Sequence, residues 1–267
     1  MNAAALPAAA PRRGALQAPA PAGADRAAQV QACLATVMDP ELDEPVTTLG
    51  FVTEVVLGED GSVQIAFRLP TYWCAANFAF LMADDMRLAV AALPWVSQVQ
   101  VQLHEHMYAE AINAGVAQGQ GFAASFGEAA AGGLDGLRRT FALKAFQRRQ
   151  AALVQHLLDA GHAPEALARL ALAALPALAP DAQAQALVER HLARRGVPGG
   201  GSAAFVDTEG RALDAQGLQA QLVHARRVDI NAEFNGALCR GLLAARYGEA
   251  TPQPIHFVRR RSPAATH

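Results

Sequence analysis

Cys74 is the side chain whose neighbours best equip it for chemistry. The run Leu69-Pro70-Thr71-Tyr72-Trp73-Cys74 closes a strand-like segment, Val63 to Leu69, and opens a helix-like one from Cys74 to Leu93. Read this way, Thr71 is the N-cap and Cys74 falls in the first helical turn. The free amides and dipole of a helix N-terminus favour a thiolate, the form that attacks electrophiles and binds soft metals. The competing reading is a small buried hydrophobe, which many free cysteines are. A thiol enzyme built on Cys74 needs a base and an orienting group beside the sulfur, whereas an interaction scaffold needs neither.

A second cluster is Asp39-Pro40-Glu41-Leu42, followed by Leu49-Gly50-Phe51-Val52. Pro40 fixes a turn and Gly50 permits a tight entry into the next strand. Asp39 and Glu41 can each cap backbone amides; alternatively, Asp39 stands beside the Cys74 loop and polarises an approaching metal or thiol. His104-Glu105-His106 ends a strand pattern, and alternation puts both histidines on one face, a workable imidazole pair for iron or zinc. A solvated strand end is the plainer account. Arg138, Arg139, Lys144, Arg148 and Arg149 fall along one helical stretch, either as a solvated face or as a docking surface for an acidic protein. Asn231, Asn235 and Cys239 recur every four residues, a spacing that suits buried polar groups in a helix–helix contact.

The elements that must hold these residues can be read along the chain. Residues 1–24 are an Ala/Pro-rich tail, expected to be flexible. A helix capped by Asp25 runs up to Pro40. A strand from Gly50 to Leu57, a turn at Glu59-Asp60-Gly61-Ser62 and a strand from Val63 form a hairpin. The Cys74 helix follows, and then a third strand from Val96 to Leu103. This α-β-β-α-β unit, residues 25–106, is of viable domain size. Residues 107–132 read as a glycine-rich connector. Residues 133–250 read as helical, ending in two helices, Gln216 to Arg227 and Asp229 to Tyr247. Residues 251–267 read as a basic tail carrying Arg259-Arg260-Arg261. The fold class is α+β: a small α/β domain followed by a mainly α-helical one.

Composition narrows the function classes. Hydrophobic residues make up 52% and charged residues 17%, which excludes wholesale disorder. A net charge of -2 gives no general attraction to nucleic acid or an anionic membrane. No apolar run approaches the roughly 18 residues of a spanning helix. The N-terminal segment lacks an apolar signal region, so a cytoplasmic location is expected. The three cysteines, Cys33, Cys74 and Cys239, lie far apart with no C-x-x-C pair. A self-contained four-cysteine site is therefore excluded, and a cluster would need other residue types or a second chain, such as a homodimer partner. No catalytic triad, P-loop or dinucleotide fingerprint is present.

Taken together, Asp39-Pro40-Glu41-Leu42, Leu49-Gly50-Phe51-Val52, the hairpin strand and Thr71 three residues before Cys74 resemble the SufT/PaaD-type iron–sulfur assembly family over about residues 28–104. That resemblance implies a small α/β protein that assists delivery of iron or iron–sulfur units and is not itself an enzyme. It implies Cys74 as the cluster-binding, iron-binding or reactive thiol, with Asp39 and Thr71 at the family's other functional positions; Glu41, beside Asp39, is a further supporting candidate. It further implies a transient iron–sulfur cluster or iron as cargo. The implied partner is a client metalloenzyme such as a di-iron oxygenase, or the iron–sulfur assembly machinery. The family has proline directly after its cysteine, where this chain has Ala75, and a short glycine-bearing loop where this chain has Tyr72-Trp73.

Overall fold

The computed structural model describes residues 25–127, 134–199, 201–248 and 253–260. The Ala/Pro tail, the end of the glycine-rich stretch and Arg261 lie outside the described residues. Asp25 caps α1 (Arg26–Leu34) by accepting the amide of Ala27, and the helix buries Val30 and Leu34. Beyond it, β1 (Met38–Asp39) and β2 (Glu44–Pro45) pair antiparallel around the Pro40 turn. Asp43 reverses the chain there with φ of 55°, in the left-handed region that Asp tolerates better than most residues.

The predicted hairpin forms as β3 (Val52–Gly58) and β4 (Ser62–Phe67), with Val55 opposite Ile65 and Leu57 opposite Val63. At its turn the Asp60 carboxylate accepts the amide and hydroxyl of Ser62. Gly61 has φ of 84°, and a Cβ there would come within 2.5 Å of the Trp95 carbonyl, so only glycine fits. Next, α2 (Ala76–Ala91) carries the chain over to β5 (Gln98–Leu103), which lies parallel to β4. The buried face of α2 includes Phe80, Met82, Met86 and Val90 and joins the strand residues Val55, Ile65 and Phe67 in one core. Truncating Met86 to alanine in that core costs about 2–5 kcal/mol, and truncating Phe67 about 3–5 kcal/mol.

Two stretches differ from expectation. The segment read as a connector contains α3 (Ala109–Ala117) and α4 (Phe122–Phe126), with Phe122 packed edge-on to Phe80 at 5.6 Å. In the helical half come α5 (Asp135–Asp159), α6 (Pro164–Ala168), a 3-10 helix at Leu172–Leu178 and α7 (Ala182–Arg195). The two terminal helices expected from the sequence are a single one, α8 (Ala215–Tyr247). Asp229 does not start a new helix, because its carboxylate instead takes the Nε–H of Arg148 at 2.7 Å. Finally, the segment read as a basic tail supplies β6 (His256–Arg260), which runs parallel to β3 and completes a four-stranded sheet ordered β5-β4-β3-β6.

α8 links the two halves. Leu218 near its start belongs to a second core with Leu153, Leu157, Leu175, Val188 and Phe205. Leu243 near its end belongs to the core of the sheet. At 1.5 Å per residue these anchors are roughly 38 Å apart. The side of α8 that faces inward is small, with Ala225, Gly236 and the half-buried Cys239, while Ile230, Phe234 and Leu238 face outward and are exposed.

The second core contains a buried titratable group. His191 on α7 has no solvent exposure, and its Nε2 lies 3.1 Å from the Ala204 carbonyl. Its Nδ1 has no hydrogen-bond partner among the described residues. Burial pushes the imidazole down to about 4; the Ala204 carbonyl opposes this and the Arg195 charge adds to it. The folded state therefore holds the neutral ring. Its contribution is full above the unfolded-state value near ~6.5 and is lost as pH falls from there towards 4, by roughly 2–3 kcal/mol. Urea unfolding at neutral pH and near pH ~4.5 should show that loss, and His191→Gln should flatten it. Equal pH dependence in the two proteins would refute the assignment.

Candidate functional site

The end of β4 leads through Pro70 into the Cys74 loop, and α2 begins only at Ala76 with Ala75 as its N-cap. Cys74 thus stands before the helix and not within its first turn, and Thr71 does not cap it. The Thr71 hydroxyl instead lies 3.1 Å from the Cys74 sulfur. Either group can donate when Cys74 is a thiol, and only the hydroxyl can donate to a thiolate. Tyr72 and Trp73 are more than half exposed beside the half-buried cysteine.

His106 holds this loop. The Tyr108 amide donates to its Nδ1 at 3.1 Å, so the ring proton sits on Nε2, which donates to the Cys74 carbonyl at 2.8 Å. Burial lowers the pKa of the imidazole; the Cys74 carbonyl acts against this and Arg246 adds to it. Beside that bond, the Met107 amide donates to the Tyr72 carbonyl at 2.9 Å. The expected histidine pair does not form. β5 ends at Leu103 and Glu105 takes φ of 52°, which leaves His104 exposed while His106 turns inward. With both ring nitrogens engaged, His106 positions the loop and is free neither to ligate a metal nor to act as base for Cys74.

Asp39 lies at the end of β1 and is almost fully buried. Its Oδ1 accepts the amides of Glu41 and Leu42, both at 2.9 Å, so the predicted capping role is present. Burial pushes this carboxyl up to about 6 against the pull of the Leu42 and Glu41 amides, with Glu41 and Glu44 charges adding to the rise. A cleft of about 420 Å³ between this segment, α2 and α5 is lined by Asp39, Asp85, Phe141 and Arg194.

α8 crosses the same region. Asn235 donates to Glu41 at 3.1 Å, Arg240 pairs with Glu44 at 3.1 Å, and Arg246 reaches the carbonyls of Glu105 at 2.8 Å and Leu69 at 3.3 Å. Between these contacts lies Cys239. Burial pushes its thiol up to about 11, with the negative charges of Asp39, Cys74 and Glu41 adding and Arg240 opposing. The four-residue spacing of Asn231, Asn235 and Cys239 was visible in the sequence. What that face meets was not.

The basic stretch on α5 is largely consumed within the molecule. Arg138 pairs with Asp85 at 2.7 Å, and Arg148 bonds Asp229 and the Leu42 carbonyl. Arg149 is buried in a two-pronged pair with Asp43, at 2.6 and 2.7 Å. Only Arg139 and Lys144 of the five are exposed, and Lys144 lies over the Phe141 ring. Arg148 and Arg149 fix α5 to the Pro40 loop, and Arg138 ties it to α2, so these three are engaged within the molecule.

A family model for iron–sulfur cluster assembly proteins matches residues 27–103. Over 79 residues the chain is 35% identical to the iron–sulfur cluster carrier protein of Mycobacterium tuberculosis, a stretch covering 30% of this chain and 20% of that protein. The chain thus spans about a fifth of the length of these mycobacterial relatives. Over 74 residues it is 32% identical to the Fe-S protein maturation auxiliary factor YitW of Bacillus subtilis, covering 28% of this chain and 71% of that protein. The family match ends before His104 and excludes α8.

Proposed function

Because the chain belongs to the iron–sulfur cluster assembly protein family through residues 27–103, we propose that it receives iron or an iron–sulfur unit at Cys74 and passes it to a client metalloenzyme. The observation that carries this reading is the Cys74 loop. Its sulfur has a hydroxyl donor at 3.1 Å, and its backbone is pinned by a buried histidine. Such a loop keeps a soft ligand in a fixed place without enclosing it, as a carrier requires. Asp39 and Glu41 supply negative charge on the side covered by α8. The client is a di-iron oxygenase subunit, and the helical half selects it. A thiol enzyme is the weaker reading, since His106 is the histidine that touches the Cys74 loop and both its nitrogens are occupied.

No helix among the described residues is long and apolar enough to cross a membrane. We place the transfer in the cytoplasm.

The test is anaerobic transfer from protein loaded with Fe²⁺ and sulfide to an apo di-iron oxygenase subunit or to an apo ferredoxin, read as iron bound by the recipient. Cys74→Ser should slow transfer by about tenfold or more. Transfer undiminished in the variant rejects Cys74 as the carrier, and preferential loading of the ferredoxin rejects the oxygenase as client.

A further inference from the structure

We propose that the outward face of α8 is the interface of a homodimer, in which two copies of this chain pair their α8 helices antiparallel about a two-fold axis at Ile230. The surface lies outside the matched family region and is independent of the carrier reading.

Apolar residues are spread around α8 instead of gathered on its inward side. That side carries Leu218, Ala225, Gly236 and Leu243. Opposite them, at about 100° per residue, Val223, Ile230 and Phe234 form an outward seam with 62%, 58% and 67% of their surface exposed. Ala237 and Gly241 continue the seam with small exposed residues, and Leu238 and Leu242 flank it. A helix with apolar residues on both sides is ordinarily covered on both. From Val223 to Leu242 the five large side chains span roughly 30 Å of helix. They expose roughly 500 Å² of apolar surface, so with the residues between them the face approaches the ~800 Å² that each partner of a stable dimer contributes.

Charge and size select a second copy, antiparallel, as what covers the seam. Arg226 and Glu233 lie along one side of it, and Arg227 and Phe234 along the other. None of these charged groups has a hydrogen bond or ion pair among the described residues. Two-fold symmetry about Ile230 sets Glu233 beside the partner's Arg226 and Phe234 beside the partner's Arg227, an ion pair and a cation–π contact, each made twice. The same symmetry lays Val223 over the partner's Ala237, large against small. A parallel pair would instead stack each arginine on its own copy. Two arginines answered by a glutamate are also a poor match for nucleic acid or an anionic membrane. Arg246, which bonds the Leu69 carbonyl before the Cys74 loop, lies roughly 24 Å along the helix from Ile230. The two Cys74 loops therefore sit at opposite ends of the paired helices and share no ion.

Sedimentation equilibrium of the full chain tests the assignment, with a dimer expected in the micromolar range. Ile230→Glu, which sets two carboxylates on the axis, should weaken association at least ~100-fold. Its circular dichroism should match that of the wild type, because the residue is exposed in the single chain. Arg226→Glu and Glu233→Arg should each weaken association about tenfold, and combining them should restore it. Cys74→Ser should leave it unchanged, which separates this proposal from the carrier reading. A wild type that stays monomeric at ~100 µM overturns the proposal, whether it then binds phosphatidylglycerol vesicles or an apo-recipient protein through this face. So does a dimer that Ile230→Glu leaves intact, which would use another surface, or a pair of charge reversals whose losses add.

Discussion

Replacing Arg149 with leucine is expected to lower folding stability by about 3–5 kcal/mol. The guanidinium grips both oxygens of Asp43 from Nε and Nη2, and its Nη1 donates to the Arg190 carbonyl at 3.0 Å. Both side chains are about 95% buried, so little solvent can replace the lost partner. The substitution would strand a carboxylate in the interior, with Arg194 at 3.8 Å as a distant substitute. Combining it with Asp43→Asn removes that charge and keeps a residue that tolerates a positive φ. The double variant should therefore be more stable than Arg149→Leu alone. Urea unfolding of the wild type and the three variants measures the coupling. Additive losses would mean that the pair contributes only packing.

Alkylation of the folded protein is expected to strike Cys74 first and by a wide margin. With its thiol pushed up to about 11, Cys239 holds roughly one part in a thousand as thiolate at pH ~8. Cys33 is raised in the same direction by burial. Cys74 lies on an irregular loop next to exposed Tyr72 and Trp73. Brief iodoacetamide treatment with mass-spectrometric mapping should find carbamidomethyl at Cys74 well before the other two. Comparable labelling at all three positions would contradict this account of the thiol environments.

Local physics made much of the sheet domain legible in the sequence. The Asp60-Gly61 turn, the period-2 strands beside it and the apolar face of α2 are written in adjacent residues. The capping role of Asp39 and the nearness of Thr71 to Cys74 depend on separations of two or three residues, which turn geometry fixes. What escaped is set by distant partners. Arg149 looks like a surface charge until Asp43 meets it from 106 residues away. His106 looks like the mate of His104 until one residue, Glu105, adopts a left-handed conformation and breaks the alternation. β6 has five residues and two arginines, too little pattern to mark a strand without its neighbour. Asp229 resembled a helix start because capping is the commonest role for Asp at such a place, and its partner Arg148 lies on another helix.

The pairing of β6 with β3 also sets a timetable for biosynthesis. Glu54 and His256 face each other across 202 residues of chain. At about 5–20 residues per second on the ribosome, the free edge of β3 waits roughly 10–40 seconds for its neighbour. During that interval the nascent domain exposes unpaired amides and carbonyls that can recruit a strand from another chain. α8 emerges late in the same interval, so the Leu69 and Glu105 carbonyls beside the Cys74 loop lack their Arg246 partner for most of it. A newly made polypeptide therefore passes through a stage in which the approach to the Cys74 loop is untethered and its sheet unfinished, and a chaperone that shields β3 would cover the open edge.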